Sequence, residues 1–297
     1  MSQILYTEKL PELLKQLNPE PQGLYYIGNK DLVDTTCIAI VGTRKNTEYG
    51  ATLTQEIVAG LANFDITIVS GLAAGIDTIA HQEALKNNLP TIAVLGHGLS
   101  QIYPKKNRPL AVEIAKKGLL LSQFPPETPP TKTNFPRRNQ IIAGLSIATL
   151  VIEAPESSGA LITARYALEQ GRDIFVTPGD VDRPNSLGIL RLLQRGAAYP
   201  IANAQDIIDA LSKQPPLSDK FVQPPPPPKE REAPKQKLTP NERKILKTLS
   251  KHRGKDFDSI QLKCGLPSQD LLVRISQLEI RGLVISKHGL FYRTINI

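Results

Sequence analysis

The chain is 297 residues long and 40% hydrophobic, an ordinary share for a globular protein with room for two domains, one of them with a sizeable core. No apolar run approaches the roughly 18 residues of a membrane span, the N-terminus shows no basic start followed by an apolar block, and Cys37 and Cys264 stand far apart without a CxxC partner; the expectation is a cytoplasmic protein with reduced thiols rather than a membrane protein, a secreted one or a disulfide scaffold. The formal charge of +8 is uneven: residues 1–211 hold 19 Lys and Arg against 20 Asp and Glu, residues 212–237 hold 6 against 3, and residues 238–297 hold 11 against 5, so the excess lies late in the chain and is compatible with an acidic polymer as partner or with a merely solvated surface.

Residues 1–34 are broken by Pro11, Pro19 and Pro21 and read as a short, mostly helical lead-in. From there β-branched runs alternate with helical patterns. "CIAIV" (37–41) predicts a buried strand and 49–64 a helix, with Leu53, Ile57, Val58 and Leu61 on one face. "ITIVS" (66–70), "TIAVLG" (91–96), "LLLSQ" (119–123), "IATLVIE" (147–153) and "DIFVT" (173–177) predict further strands. Helices are expected over 76–87, 109–117, 161–170, 186–195 and 204–211. Such alternation implies right-handed crossovers and an α/β, Rossmann-like, doubly wound, mainly parallel sheet over 35–211. Residues 212–237 contain eight prolines and few large apolar side chains, the composition of an extended linker. In 238–297, Thr239 caps a helix with Pro240 at its first position, a helix–turn–helix follows with its turn at Gly265–Pro267, and a hairpin turns at His288-Gly289; this is the winged-helix order.

Ligands of open α/β sheets bind beyond the carboxyl ends of the strands, so the residues just after each strand are the candidates. They are Gly42 and Arg44 in "VGTRKN", Ser70, Gly71 and Gly75 in "SGLAAGID", Gly96 to Gly98 in "GHG", and Ser157, Ser158 and Gly159 in "APESSGA". Small residues opening a helix suit an anion, and Asp77 is placed to cap or orient its turn. The stretch "TKTNFPRRNQIIAGLS" (131–146) adds Lys132, Arg137 and Arg138 for phosphates, Phe135 as a face for a base, and Asn139 for a base edge or for holding the loop. One arginine is expected to turn inward to Glu153 or Asp180 and the other to face the ligand. Neither GxGxxG nor GxxxxGK[ST] is present, so a nicotinamide or P-loop nucleotide has little support. His81, His97, His252 and His288 show no ligand spacing, so neither metal nor cofactor is expected. Glu153 and Asp77 read as orienting groups more than as general bases, because no activated nucleophile accompanies them.

"AIVGTR", "VSGLAAGID", "AHQEAL", "TIAVLGHGL", "IYP", "FPRRNQIIAGLS", "SGALITARYALEQGRDIFVTPG" and "GAAYPI" together resemble the DNA-processing protein A family (DprA, also called Smf), from about residue 37 to 211. The resemblance implies a Rossmann-like domain that binds single-stranded DNA, protects incoming DNA and loads the RecA recombinase onto it during natural transformation. It further implies a homodimer and no chemical reaction on the DNA. By motif it assigns DNA contacts to Arg44, Lys132, Phe135, Arg137 and Arg138, with Asn139 in the same motif. Ala74 and His97 depart from the family's usual residues: Ala74 weakens one phosphate contact, and His97 adds a polar or pH-sensitive one. The C-terminal winged helix resembles the appended domain of many members, with duplex DNA as a possible second ligand. Two other readings stay open: a Rossmann-like enzyme that binds or cleaves nucleotide derivatives, although "APESSGALITAR" offers no glutamate at the spacing glycosidic cleavage would need, and a winged-helix regulator with a sensory Rossmann domain.

Overall fold

The computed structural model describes residues 3–212, 238–250, 254–287 and 289–294, and the chain divides into two compact units, Met1–Pro224 and Pro225–Ile297. In the first unit the strands are β1 (Leu5–Thr7), β2 (Leu24–Gly28), β3 (Cys37–Gly42), β4 (Thr67–Ser70), β5 (Thr91–Val94), β6 (Leu119–Ser122), β7 (Ala148–Ile152), β8 (Asp173–Val176) and β9 (Tyr199–Pro200). The helices are α1 (Glu12–Lys15), α2 (Glu48–Leu61), α3 (Ile76–Lys86), α4 (Arg108–Lys117), α5 (Asn134–Leu145), α6 (Gly159–Glu169), α7 (Pro184–Gln194) and α8 (Ala204–Ser212).

All nine strands form one sheet in the order β1-β2-β6-β5-β4-β3-β7-β8-β9. β3 through β9 are parallel wherever they pair with one another, as in Ile38 opposite Ala148 and Ile68 opposite Thr91, whereas β1 and β2 add on antiparallel through Tyr26 opposite Leu121. The expected doubly wound sheet is therefore present. Residues 1–34 differ from expectation: among the described residues they supply two strands to this sheet, a four-residue α-helix and a five-residue 3-10 helix (Lys30–Asp34), because β2 finds its partner in β6, nearly a hundred residues away in sequence. Side chains alternate across the sheet as the strand pleat requires. Cys37, Ala39 and Val41 enter one core with α1, α5, α6 and α7, and Ile38 and Ile40 enter another with α2, α3 and α8. The direction of strand order reverses between β3 and β7, which makes the crevice at their carboxyl ends the place for a ligand.

The second unit has α9 (Pro240–Thr248), α10 (Phe257–Cys264), α11 (Ser268–Ile280) and a hairpin of β10 (Val284–Lys287) and β11 (Leu290–Arg293). Thr239 and Glu242 form a reciprocal cap on α9, and Gly265 closes α10 in the left-handed conformation at φ +63°, where a Cβ would be strained. Ile245, Leu246, Ile260, Leu271, Ile275, Leu278 and Val284 make its core, and Lys255 bridges to Phe291 beside the hairpin. Helices followed by a hairpin give the winged-helix arrangement. The proline-rich stretch from 213 onward and His288 of the expected turn lie outside the described residues.

Candidate functional site

At the crevice between β3 and β7 lies an open cleft of about 640 Å³, walled by Gly42 to Lys45 after β3, by Ala73 and Asp77 after β4, by the first two turns of α5 and by Ser157 to Ala160 at the start of α6. The "TKTNFPRRNQ" stretch is helical from Asn134, and Pro136 is tolerated because it falls in the first turn, where a backbone N–H has no intrahelical acceptor to lose. Helical periodicity then sorts its side chains. Phe135, Arg138, Asn139 and Ile142, spaced i, i+3, i+4 and i+7, share one face and all line the cleft. Arg137, two residues from Phe135, is turned about 200° away; it is exposed and its guanidinium lies 5.4 Å from the Phe124 ring centroid. Arg137 therefore stands outside the cleft, exposed, while Arg138 turns inward.

Arg138 is the inward arginine, 4% exposed, but its partners are not the expected Glu153 or Asp180. Its Nη1 donates to the carbonyls of Gly71 and Val94, each at 2.6 Å, and its Nε donates to Asn139 Oδ1 at 3.0 Å. Burial pulls its guanidinium down to about 10, still a cation at neutral pH, with Asp77 opposing and Arg44 adding to the fall. Asp180 pairs instead with Arg183 at 2.9 Å. Glu153 accepts from the Thr47 hydroxyl, from the Thr47 N–H at 2.8 Å and from Asn185 at 3.4 Å, so it organises the start of α2.

Phe135 is half-buried, with the guanidinium carbons of Arg44 and Arg138 at 5.5 and 5.8 Å from its ring centroid. Its ring rests on Gly96, where a Cβ would stand 2.6 Å from the ring edge. Tyr103, 47% exposed, places its ring 6.0 Å from that of Phe135 at 41°. Arg44, Lys45 and Lys132 are exposed at the cleft, and no side-chain hydrogen bond or ion pair engages them among the described residues. Tyr103 and Lys45 were not among the expected contacts; the "IYP" motif was the available signal for Tyr103, but only folding brings it beside Phe135.

The loops divide between lining and scaffolding. Gly42, Ser158 and Gly159 line the cleft as expected, with Ser158 capping α6 by accepting from the Ala160 N–H at 3.2 Å. Asn139 holds the loop, donating to the Gly159 carbonyl at 3.2 Å. Ser70 does not reach the cleft: it is fully buried and its hydroxyl donates to the Ile40 carbonyl at 2.6 Å on the neighbouring strand. The Gly71 and Ala73 N–H groups are not open to an anion either, because Asp77 Oδ2 accepts from both at 3.1 and 3.2 Å. Burial pushes the Asp77 carboxyl up, against the pull of Arg138 and those two donors. Gly75 shapes the turn at φ +82° and packs under Arg44, where any Cβ would meet the Arg44 backbone at 2.8 Å. His97 is held neutral: Nε2 accepts from the Tyr103 N–H at 3.3 Å while Nδ1 donates to the Gly98 carbonyl at 2.9 Å, and burial lowers its pKa. Among the described residues no group of three His, Cys, Asp or Glu side chains is placed to hold a metal ion, and no helix is long and apolar enough to cross a membrane.

In the second unit the outward face of α11 is uncharged. Gln269, Leu272, Val273, Ser276, Gln277 and Ile280 are exposed along it, whereas Arg274 pairs with Asp270 at 2.9 Å and Arg281 with Glu242 at 2.6 Å at its flank. Exposed cations stand on α9 (Arg243, Lys244, Lys247) and α10 (Lys263).

Relatives share both the sequence and the sheet. The chain is 38% identical to protein Smf of Synechocystis sp. over 310 residues, covering 95% of this chain and 77% of the relative. It is 43% identical to the DNA processing protein DprA of Streptococcus pneumoniae over 66% of this chain and 68% of that one. The crystal structure of the S. pneumoniae protein superposes with a TM-score of 0.67 at 40% identity, over 70% of this chain and 74% of that one. DNA processing protein A from Helicobacter pylori, whose structure concerns its mode of binding single-stranded DNA, superposes with a TM-score of 0.66 at 34% identity, over 71% of this chain and 97% of that one. Residues 3–212 match the family described as DNA recombination-mediator protein A, and this chain belongs to that family.

Proposed function

We propose that this chain is a single-stranded DNA-binding recombination mediator that protects incoming DNA and loads the RecA recombinase during natural transformation, acting as a homodimer and without chemistry on the DNA. The observation that carries the DNA-binding part is the cleft itself. Arg44, Lys45 and Lys132 stand at its wall with no internal ion pair, beside an aromatic pair, Phe135 and Tyr103. Unneutralised cations at a groove attract a polyanion, and aromatic faces add stacking that a duplex, with its bases already paired, cannot use. Family membership and the H. pylori relative support the same ligand. Asp77, which lines the cleft, and Glu153 at the end of β7 are engaged in holding loops, Asp77 on two N–H groups and Glu153 on Thr47, which favours a binding protein over a nucleotide-cleaving enzyme.

Titration of the full chain and of Arg44→Ala with oligothymidine tests this reading. Arg44→Ala should weaken binding by roughly 1.5–3 kcal/mol, the worth of a hydrogen bond to a charged group. Affinity of the unaltered chain should fall steeply with salt as phosphates release counterions. Salt-independent binding, or a variant that binds as well as its parent, would contradict it.

A further inference from the structure

A side pocket of about 110 Å³ opens off the main cleft. It shares Arg44, Phe135 and Arg138 with the cleft and adds Gly71, Ala74 and Gly96, which do not line the cleft. Its floor is made of two glycines held bare by what lies on them. A Cβ on Gly71 would stand 2.6 Å from the Arg138 guanidinium carbon, and one on Gly96 2.6 Å from the Phe135 ring.

The polar atoms around this pocket are nearly all spent on the protein. The Gly71 and Ala73 N–H groups go to Asp77, the Gly71 carbonyl accepts from Arg138, and the Ala73 carbonyl accepts from Thr78 at 2.6 Å. Both ring nitrogens of His97 are engaged, and its carbonyl accepts from Ser122 at 2.7 Å. Of the lining side chains, the guanidinium groups and the Tyr103 hydroxyl are what remains among the described residues. Arg138, buried and locked by three acceptors on Nη1 and Nε, keeps Nη2 without a hydrogen bond among the described residues, and Arg44 keeps its whole guanidinium. A nucleobase edge presents donors as well as acceptors and needs both kinds of partner. A phosphate presents only acceptors, and the two guanidiniums supply only donors; Asp77, the carboxylate that acts on both, does not line the side pocket and is held by the Gly71 and Ala73 N–H groups.

We infer that this side pocket is a subsite for a phosphomonoester, the terminal phosphate of a bound single strand; the assignment rests on the single-strand reading of the main cleft. An internal phosphodiester has the chain continuing from two of its oxygens and must lie along a through-going groove. A group that ends the strand can leave the groove and enter a pocket beside it. A monoester also gains a further charge with a pKa near 6 and offers three terminal acceptor oxygens, which two converging cations favour over a diester. The strand end that carries the phosphate would be held next to the Phe135 and Tyr103 rings.

The test compares unphosphorylated, 5′-phosphorylated and 3′-phosphorylated oligothymidine of equal length, with an unphosphorylated oligomer two nucleotides longer so that the control carries at least the added charge of about −1.5 to −2. One of the phosphorylated strands should bind at least about tenfold tighter than both controls, the gain expected of charge-assisted hydrogen bonds. Ala74 lines the side pocket and not the cleft, so Ala74→Leu, which fills it, and Ala74→Glu, which repels an anion, should erase that gain. Ala74→Leu should leave the affinity of the unphosphorylated strand as it was, whereas Ala74→Glu, which sets a negative charge beside Arg44, should weaken that strand as well while still erasing the difference between strands; thermal melting confirms that both fold. Equal binding of all strands by the unaltered chain would overturn the inference while leaving the single-strand reading standing. A preference that survives both Ala74 substitutions would place the phosphate elsewhere and overturn it too. Failure of every strand to bind would remove the single-strand reading and the inference with it.

Discussion

Two arginines near one aromatic ring carry the same charge and hold different positions. Arg138 is tied by its Nη1 to the carbonyls at the ends of two buried strands, so it is part of the fold before it is part of any site. Arg138→Ala should leave those two acceptors without donors, at about 1–3 kcal/mol each. For a unit of this size, at 2–4 °C per kcal/mol, the melting temperature should fall by roughly 10 °C. Arg44→Ala should not move it, and equal melting of the two variants would refute the division. Phe135 is the intermediate case, half-buried over Gly96 with one face toward the cleft. Phe135→Ala should cost oligothymidine about 1–3 kcal/mol of affinity and an abasic strand of equal length much less. The salt slope should stay unchanged, because an uncharged ring neutralises no phosphate. Equal weakening on both strands, with a large fall in melting temperature, would make it a packing residue alone. The sequence made residue types legible here, since a basic and aromatic cluster needs an anion and a base. It did not make the sorting of Arg137 from Arg138 legible, because that depends on α5 being a helix. The apolar positions of α5 follow its periodicity, but Pro136 obscured its start.

At the scale of elements, the alternating strands and helices of β3 to β8 were legible because buried parallel strands are short β-branched runs and their covering helices are amphipathic. β1 and β2 were not, since "LYT" and "LYYIG" lie among prolines and acquire strand character only by pairing into the sheet, β2 against β6 and β1 against β2. The loop after β4 was legible in part. Asp77 was read as orienting its turn and does so, but that its carboxylate would take up the N–H groups of both Gly71 and Ala73, which the small residues offered to an anion, depends on how α3 docks. In the winged helix, net charge pointed to duplex DNA, and the structure distributes that charge away from α11. A duplex contact by this unit should therefore run through α9. Reversing Arg243 and Lys247 to Glu should weaken duplex binding and lower the salt slope by about 2, roughly 0.9 for each phosphate no longer neutralised. Val273→Asn and Ile280→Asn on α11 should leave duplex affinity and slope alone; a weakening there equal to that of the α9 variant would return the reading role to α11.

For the whole molecule, the charge division has a kinetic consequence. The cleft lies in a segment, 1–211, with one more acid than bases, while residues 212–297 hold 17 Lys and Arg against 8 Asp and Glu. Contacts within a few ångströms set how long a strand stays, and in the proposed site those would belong to Arg44, Lys45, Lys132 and the two rings. The long-range field that brings a polyanion in is a property of the summed charge, and it weakens as salt shortens its reach to about 10 Å at 0.1 M. A chain ending at Ser212 retains the three core clusters that cover the sheet and every cleft residue, so it should fold and bind a single strand. Relative to the full chain its dissociation rate should be nearly unchanged, because the cleft keeps all of its side chains. Its association rate should be lower at low salt, and the difference should shrink as salt rises, since steering acts on encounter. Stopped-flow measurement of both rates across a salt series decides the matter. A shortened chain that folds yet dissociates many times faster would show that the C-terminal residues hold the strand directly, and one that folds and binds nothing would move the site out of the cleft altogether.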